Sequence, residues 1–143
     1  MVAEDIAKLV IGTFNNRGKV LIFGCGGSAA ESSHLAAEFI GIGLPAISLT
    51  DPSVITALAN DYSFKEVFSR QINSLANTGD LVIAFSTSGK SSSVLNGIKE
   101  AKKLGLKVID WPRNEGNNTG EIQEYQLKLI HSVFNKVRKY YGN

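Results

Sequence analysis

An open α/β sandwich is the fold class the sequence predicts: three layers, with a central parallel sheet of four or five strands in flavodoxin-like order and helices on both faces. Three observations predict it. Leu81-Val82-Ile83-Ala84-Phe85 and Val20-Leu21-Ile22-Phe23 are unbroken apolar runs, too short for helices and suited to strands covered on both faces. These runs alternate with segments whose apolar residues recur at helical spacing. Both runs end in loops of small residues, Gly24 to Ser28 and Ser86 to Ser91. Parallel sheets of this kind bind ligands outside the carboxyl ends of their strands, where strand order reverses, so two such loops on neighbouring strands line one crevice.

Taken in order, Ala3 to Asn15 has the pattern of an amphipathic helix, with Ile6, Leu9, Val10 and Phe14 inward and Glu4, Asp5 and Lys8 outward. Asn15-Asn16-Arg17-Gly18 ends it, and Lys19 to Phe23 is the first strand. A helix follows from about Ser28 to Gly41, closed by Gly41 and Gly43, and Pro45 to Leu49 reads as a short second strand. Asp51-Pro52-Ser53 opens the next helix, with Asp51 as cap and the proline at the first helical position, where its missing N–H costs nothing. That helix runs to about Ala59, and Asn60-Asp61-Tyr62-Ser63 interrupts it. Phe64 to Leu75 is expected as a single helix with Phe64, Val67, Phe68, Ile72 and Leu75 on one face. Asn77 to Asp80 turns the chain into the strand at 81–85, and Val94, Leu95, Ile98, Ala101 and Lys102 recur as a helix stopped near Gly105. Leu106 to Ile109 is the fourth strand. A polar stretch from Trp111 to Gly120 leads into the last helix, Glu121 to about Tyr140, carrying Ile122, Leu129, Ile130, Val133, Phe134 and Val137.

No repeat or linker divides the 143 residues, so residues 1–143 form a single domain, long enough to bury a core without staples. A net charge of +2 with scattered basic residues gives no footprint for nucleic acid, and Lys136, Arg138 and Lys139 read as a solvated helix face. No apolar run is long enough to span a bilayer and no secretory signal begins the chain. The lone Cys25 excludes an internal disulfide and fits a reducing, cytoplasmic setting.

Ser86, Thr87, Ser88 and Ser91 place four hydroxyls where a strand feeds a helix. Backbone N–H groups at a helix start lack partners and the dipole there favours negative charge, so the loop is an anion cradle suited to phosphate. Gly24-x-Gly26-Gly27-Ser28 lacks the third spaced glycine of a dinucleotide fingerprint, and Cys25 has no partner base nearby in sequence and reads as a small loop residue. His34 and Glu38 stand four apart and share a helix face, as an ordinary surface pair or as part of a site. His131, the second histidine, follows Gln123 by eight residues, about 80° apart around a helix. Spacing leaves open whether these four meet at a divalent metal or are separate polar residues.

The ordered set of Gly24-x-Gly26-Gly27-Ser28, His34-x-x-x-Glu38, Ala59-Asn60-Asp61, Gly79-Asp80, Ser86-Thr87-Ser88-Gly89-x-Ser91 and Ile122-Gln123-Glu124 with His131 resembles a sugar isomerase (SIS) domain. Within that superfamily it is most similar to the phosphoheptose isomerases, over about Gly18 to Val133. The resemblance implies an aldose–ketose isomerase that converts sedoheptulose 7-phosphate to D-glycero-D-manno-heptose 7-phosphate, for bacterial heptose synthesis, lipopolysaccharide or capsule. It implies Glu38 as base, His131 as acid, and a zinc held by His34, Glu38, Gln123 and His131, the two roles of Glu38 competing. Ser86, Thr87, Ser88 and Ser91 would hold the phosphate, and Ser28, Asn60, Asp61 and Gln123 the sugar. It further implies a homo-oligomer, tetramer or dimer, with the site at subunit contacts. The chain departs from the pattern at Cys25 and Lys90, where asparagine is common, in a short N-terminal helical section, and in a shortened segment between Asp110 and Gln123. The alternatives are a non-catalytic sugar-phosphate sensor or replication-initiator-associating module, and an isomerase of another ketose phosphate.

Overall fold

The computed structural model describes residues 2–143. Four parallel strands, β1 (Val20–Phe23), β2 (Ala46–Ser48), β3 (Leu81–Ala84) and β4 (Lys107–Asp110), form one sheet in the order β2-β1-β3-β4. The helices are α1 (Ala3–Asn15), α2 (Gly27–Gly41), α3 (Pro52–Asp61), α4 (Val67–Leu75), α5 (Ser92–Lys103) and α6 (Thr119–Tyr140). Strand order reverses between β1 and β3, which pair in register from Val20↔Leu81 to Phe23↔Ala84.

Side chains alternate across a strand, and here the alternation sorts two cores. Val20, Ile22, Leu81 and Ile83 point to one face and pack with Ile6, Val10, Leu35, Phe39, Ile130, Val133 and Val137 of α1, α2 and α6. Leu21, Phe23, Val82 and Ala84 point to the other face and meet Val67, Phe68, Ile72, Val94 and Ala101 of α4 and α5. Both faces are therefore covered, as the unbroken apolar runs require.

Three expectations are corrected. The α3 helix continues through Asn60 and Asp61, which form its last turn rather than an interruption. The segment expected as one helix from Phe64 begins as a separate 3-10 turn, Phe64–Glu66, and α4 starts only at Val67; Phe64, ahead of α4, and Leu75, its last residue, are exposed. Trp111, assigned to a polar stretch, is fully buried: its N–H donates to the Ala84 carbonyl at 2.8 Å, continuing the β4 pairing, and its ring stacks on Phe85 at 4.8 Å.

At the opposite end of the sheet Asp80 ties β1 to β3. It is buried and accepts from the Lys19 ammonium at 2.6 Å, the Lys19 N–H at 3.0 Å and the Asn77 N–H at 2.7 Å. Burial pushes its carboxyl up, but those hydrogen bonds and the Lys19 charge together hold it below the ordinary aspartate value. Asp80→Ala is expected to lose about 2 kcal/mol in urea unfolding at pH 7. A folded pKa below the unfolded one stabilises above the unfolded pKa and is lost as pH falls through the folded one, so wild type and variant converge in acid. Equal urea midpoints at pH 7 would refute this role.

Candidate active site

The carboxyl ends of β1 and β3 are neighbours, and their loops meet: Cys25 Sγ lies 3.5 Å from Ser93 Oγ of α5. Cys25 is thus a half-buried loop residue bonded to α5. Two helices begin at this crevice without a side-chain cap, α2 at Gly26 and α5 at Ser91. By contrast Asp51 caps α3 and Asn118 caps α6. Uncapped helix starts leave N–H groups and the positive dipole end free for an anion.

The hydroxyls of the β3–α5 loop serve both turn and ligand readings. Ser86 Oγ accepts from the Gly89 N–H and Ser88 Oγ from the Lys90 N–H, each at 3.0 Å, so their oxygens shape the turn while their O–H protons stay available to a ligand. Thr87 is half-buried and Ser88 exposed. Ser91 Oγ lies 3.3 Å from Ser93 Oγ instead of capping its own helix.

The first turns of α6 close the other side of the crevice. Gln126 is buried, and its Nε2 donates to the Ser86 carbonyl at 3.2 Å. The Gln123 amide lies against Gly27 so closely that a Cβ there would collide with it, which is why α2 starts on glycine. Ser28 is buried one residue on. Asn60 and Asp61 are exposed at the end of α3, with the Asn60 amide donating to Asp61 Oδ1 at 3.0 Å.

His34, Glu38 and His131 gather elsewhere. His34 Nε2 lies 3.4 Å from Glu38 Oε1, and the His34 and His131 rings stand 5.4 Å apart, nearly perpendicular. Glu38 lies eleven residues beyond Gly27, about 16 Å along α2. His131 follows Gln126 by five residues, about 8 Å along α6 and about 140° around it. The histidines and the carboxylate therefore form a cluster on the outer α2–α6 seam, His131 opening on a groove of about 600 Å³ with Glu124, Tyr125 and Lys128. Gln123 stands at the crevice end of that seam, against Gly27.

Residues 3–110, from α1 through β4, match the family model described as SIS domain. The phosphoheptose isomerase of Thermodesulfovibrio yellowstonii is 47% identical over 150 aligned residues, covering 90% of this chain and 75% of that protein. The chain belongs to the phosphoheptose isomerase branch of the SIS domain family. The phosphoheptose isomerase of Helicobacter pylori is 39% identical, with 94% of this chain and 82% of that protein covered. The solved structure of the Neisseria gonorrhoeae phosphoheptose isomerase matches with a TM-score of 0.91 at 35% identity, over 96% of this chain and 85% of that one.

Two residues of this SIS domain escaped sequence reasoning. Glu31, on α2 between Gly27 and His34, is buried with Oε2 unpaired among the described residues, and burial pushes its carboxyl up to about 7. A glutamate on a helix gives no sign of that in sequence. Arg113 lies across the β3–α5 loop, with Nη1 donating to the Ser86 carbonyl at 3.3 Å and the guanidinium bonded to both Asp110 oxygens at 3.0 and 3.1 Å. Its position inside a polar, glycine-rich segment made it look like solvent-facing loop.

The donors of the seam suit a divalent ion: two imidazoles and a carboxylate, with His34 Nε2 buried and lacking a hydrogen bond among the described residues. They do not close on one point, since no three His, Cys, Asp or Glu among the described residues form a group able to hold a metal. No helix of the described residues is long and apolar enough to cross a membrane.

Proposed function

We propose that this protein is a phosphoheptose isomerase, converting sedoheptulose 7-phosphate to D-glycero-D-manno-heptose 7-phosphate in the cytoplasm. The observation that carries the reading is the meeting of two uncapped helix starts and a hydroxyl-rich loop at the strand-order reversal, in a chain 47% identical to a phosphoheptose isomerase. Relatives 39–47% identical over 90% or more of this chain are phosphoheptose isomerases, which favours this reading over a sensor or an initiator-associating module.

The reaction moves hydrogen from C1 to C2. A base takes a C1 proton, that C–H pair becomes the C1=C2 bond of an enediol, and O2 gains a proton. The return proton goes to C2 while O1 gives one up, leaving the aldehyde. We assign the C1 proton to Glu38 and the delivery to C2 to His131, both reachable from the outer seam. Ser86, Thr87, Ser88 and Ser91 hold the phosphate, whose binding energy positions the far carbons. Ser28 and Gln123 face the sugar from the crevice wall, with Asn60 and Asp61 as further hydroxyl partners. His34, Glu38 and His131 are donors of the kind zinc takes, but as placed they do not close on one point, so no step of the reaction is routed through a metal.

Glu38 stands about 16 Å along α2 from Gly27, at the crevice. We therefore propose a homo-oligomer, dimer or tetramer, in which the seam of one copy meets the crevice of another. Purified protein incubated with sedoheptulose 7-phosphate is expected to form the aldose. No product with or without added zinc overturns the reading.

A further inference from the structure

We propose that Arg113 is the cation that recognises the substrate's phosphoryl group, held ready for it by Asp110; the inference rests on the phosphate-loop reading above. A guanidinium carries five N–H donors. Among the described residues Arg113 spends three of them, two on the Asp110 carboxylate and one on the Ser86 carbonyl, all from its Nη atoms. The remaining pair is Nε–H and one Nη2 hydrogen, which lie side by side on one edge of the fork. The guanidinium lies with its face over Gly89, whose Cβ would stand 3.0, 3.1 and 3.3 Å from Nη2, Cζ and Nε, so that edge sits beside the loop. Two parallel donors in this arrangement match two oxygens of a phosphate.

Gly89 makes the placement possible twice over. It has φ 69°, a conformation glycine adopts without strain, and its missing Cβ leaves the space that the guanidinium covers. Arg113 is also fixed from its own side. The chain leaves β4 at Asp110, is pinned at Trp111 by the Ala84 carbonyl, and turns through Pro112, so Arg113 returns over the end of β3 three residues after its carboxylate partner. The uncapped start of α5 supplies backbone donors and Arg113 the full charge. Asp110 is half in solvent and shares that charge until the phosphate competes for it.

An alternative role for the same contacts is a staple that fastens residues 111–118 to the β3–α5 loop. The two roles separate in Arg113→Met, Arg113→Lys and Asp110→Asn, each assayed for turnover of sedoheptulose 7-phosphate and for the rise in Tm produced by inorganic phosphate. Recognition predicts that Arg113→Met raises KM about 10- to 100-fold, the range for hydrogen bonds to charged groups, with little change in kcat. It predicts that Arg113→Met abolishes the phosphate-induced rise in Tm and Arg113→Lys restores part of both, as a point charge without the fork. Asp110→Asn is expected to lower KM, because the guanidinium is no longer shared. The proposal is overturned if Arg113→Met leaves KM and phosphate protection unchanged, or if Asp110→Asn and Arg113→Met raise KM alike, as loss of a staple does. Wild type that turns over the sugar beside an Arg113→Met of unchanged KM leaves the isomerase reading standing and removes this one. Wild type without turnover, whose phosphate protection is lost in Arg113→Met, removes the isomerase reading and keeps this one.

Discussion

Glu38→Gln is expected to lower kcat for sedoheptulose 7-phosphate by about 10²- to 10⁴-fold, the usual contribution of a positioned proton-transfer group, with KM changed by no more than about threefold. The substitution keeps the shape of the side chain and removes only its ability to take a proton. Glu38 is half-buried on a helix surface and bonded to nothing in the core, so the fold has no stake in its charge. The divided site sharpens the expectation. If the carboxylate of one copy serves the phosphate loop of another, a Glu38→Gln chain and a chain with a crippled loop, Ser86→Ala with Ser88→Ala, are each inactive alone. Mixed and reassembled, they regain part of the activity, because some contacts then pair an intact seam with an intact loop. A Glu38→Gln protein that keeps a third or more of wild-type kcat dismisses the carboxylate as base. Failure of the mixture while both parents are folded and inactive dismisses the shared site.

Glu31→Gln is expected to make the protein more stable at pH 8, by about 3 kcal/mol on the scale of 1.36 kcal/mol per pKa unit. Burial raises the Glu31 carboxyl from 4.5 to about 7, so between those values the folded protein keeps a proton that the unfolded chain releases. Rising pH then favours unfolding through that window. The stability conferred by the raised pKa is complete below 4.5, is lost as pH rises through 7, and does not change further above it. Glutamine removes the slope, since it stays neutral throughout. The window lies above the acid range in which Asp80 acts, so urea titrations from pH 4.5 to 8 separate the two. Parallel profiles for wild type and Glu31→Gln would show that Glu31 carries no such penalty.

The sheet was legible because its strands are buried on both faces, which compresses the pattern into uninterrupted runs such as Leu81-Val82-Ile83-Ala84. The ends of elements were less so. Phe64 carried a helical period ahead of α4 and Leu75, on its last turn, is exposed, since a periodic pattern records which residues suit a face and not whether a neighbour covers it. Trp111 was unreadable for a related reason: its burial comes from Phe85 and the Gln126 carbonyl, distant in sequence and brought there by the β3–β4 pairing and α6.

The sequence by itself determined the parallel α/β architecture, the hydroxyl-rich loop from Ser86 to Ser91 between a strand and a helix, and the likeness to sugar isomerases, since each is written in local spacing and residue type. Tertiary structure alone decided which of these residues meet. It put Gln123 at Gly27 and drew His34 to His131, although neither pair is joined by a local pattern. It buried Glu31 and laid Arg113 over Gly89. Desolvation and through-space charge depend on what the packing brings within a few ångströms, and neither quantity exists along a chain until the helices have docked.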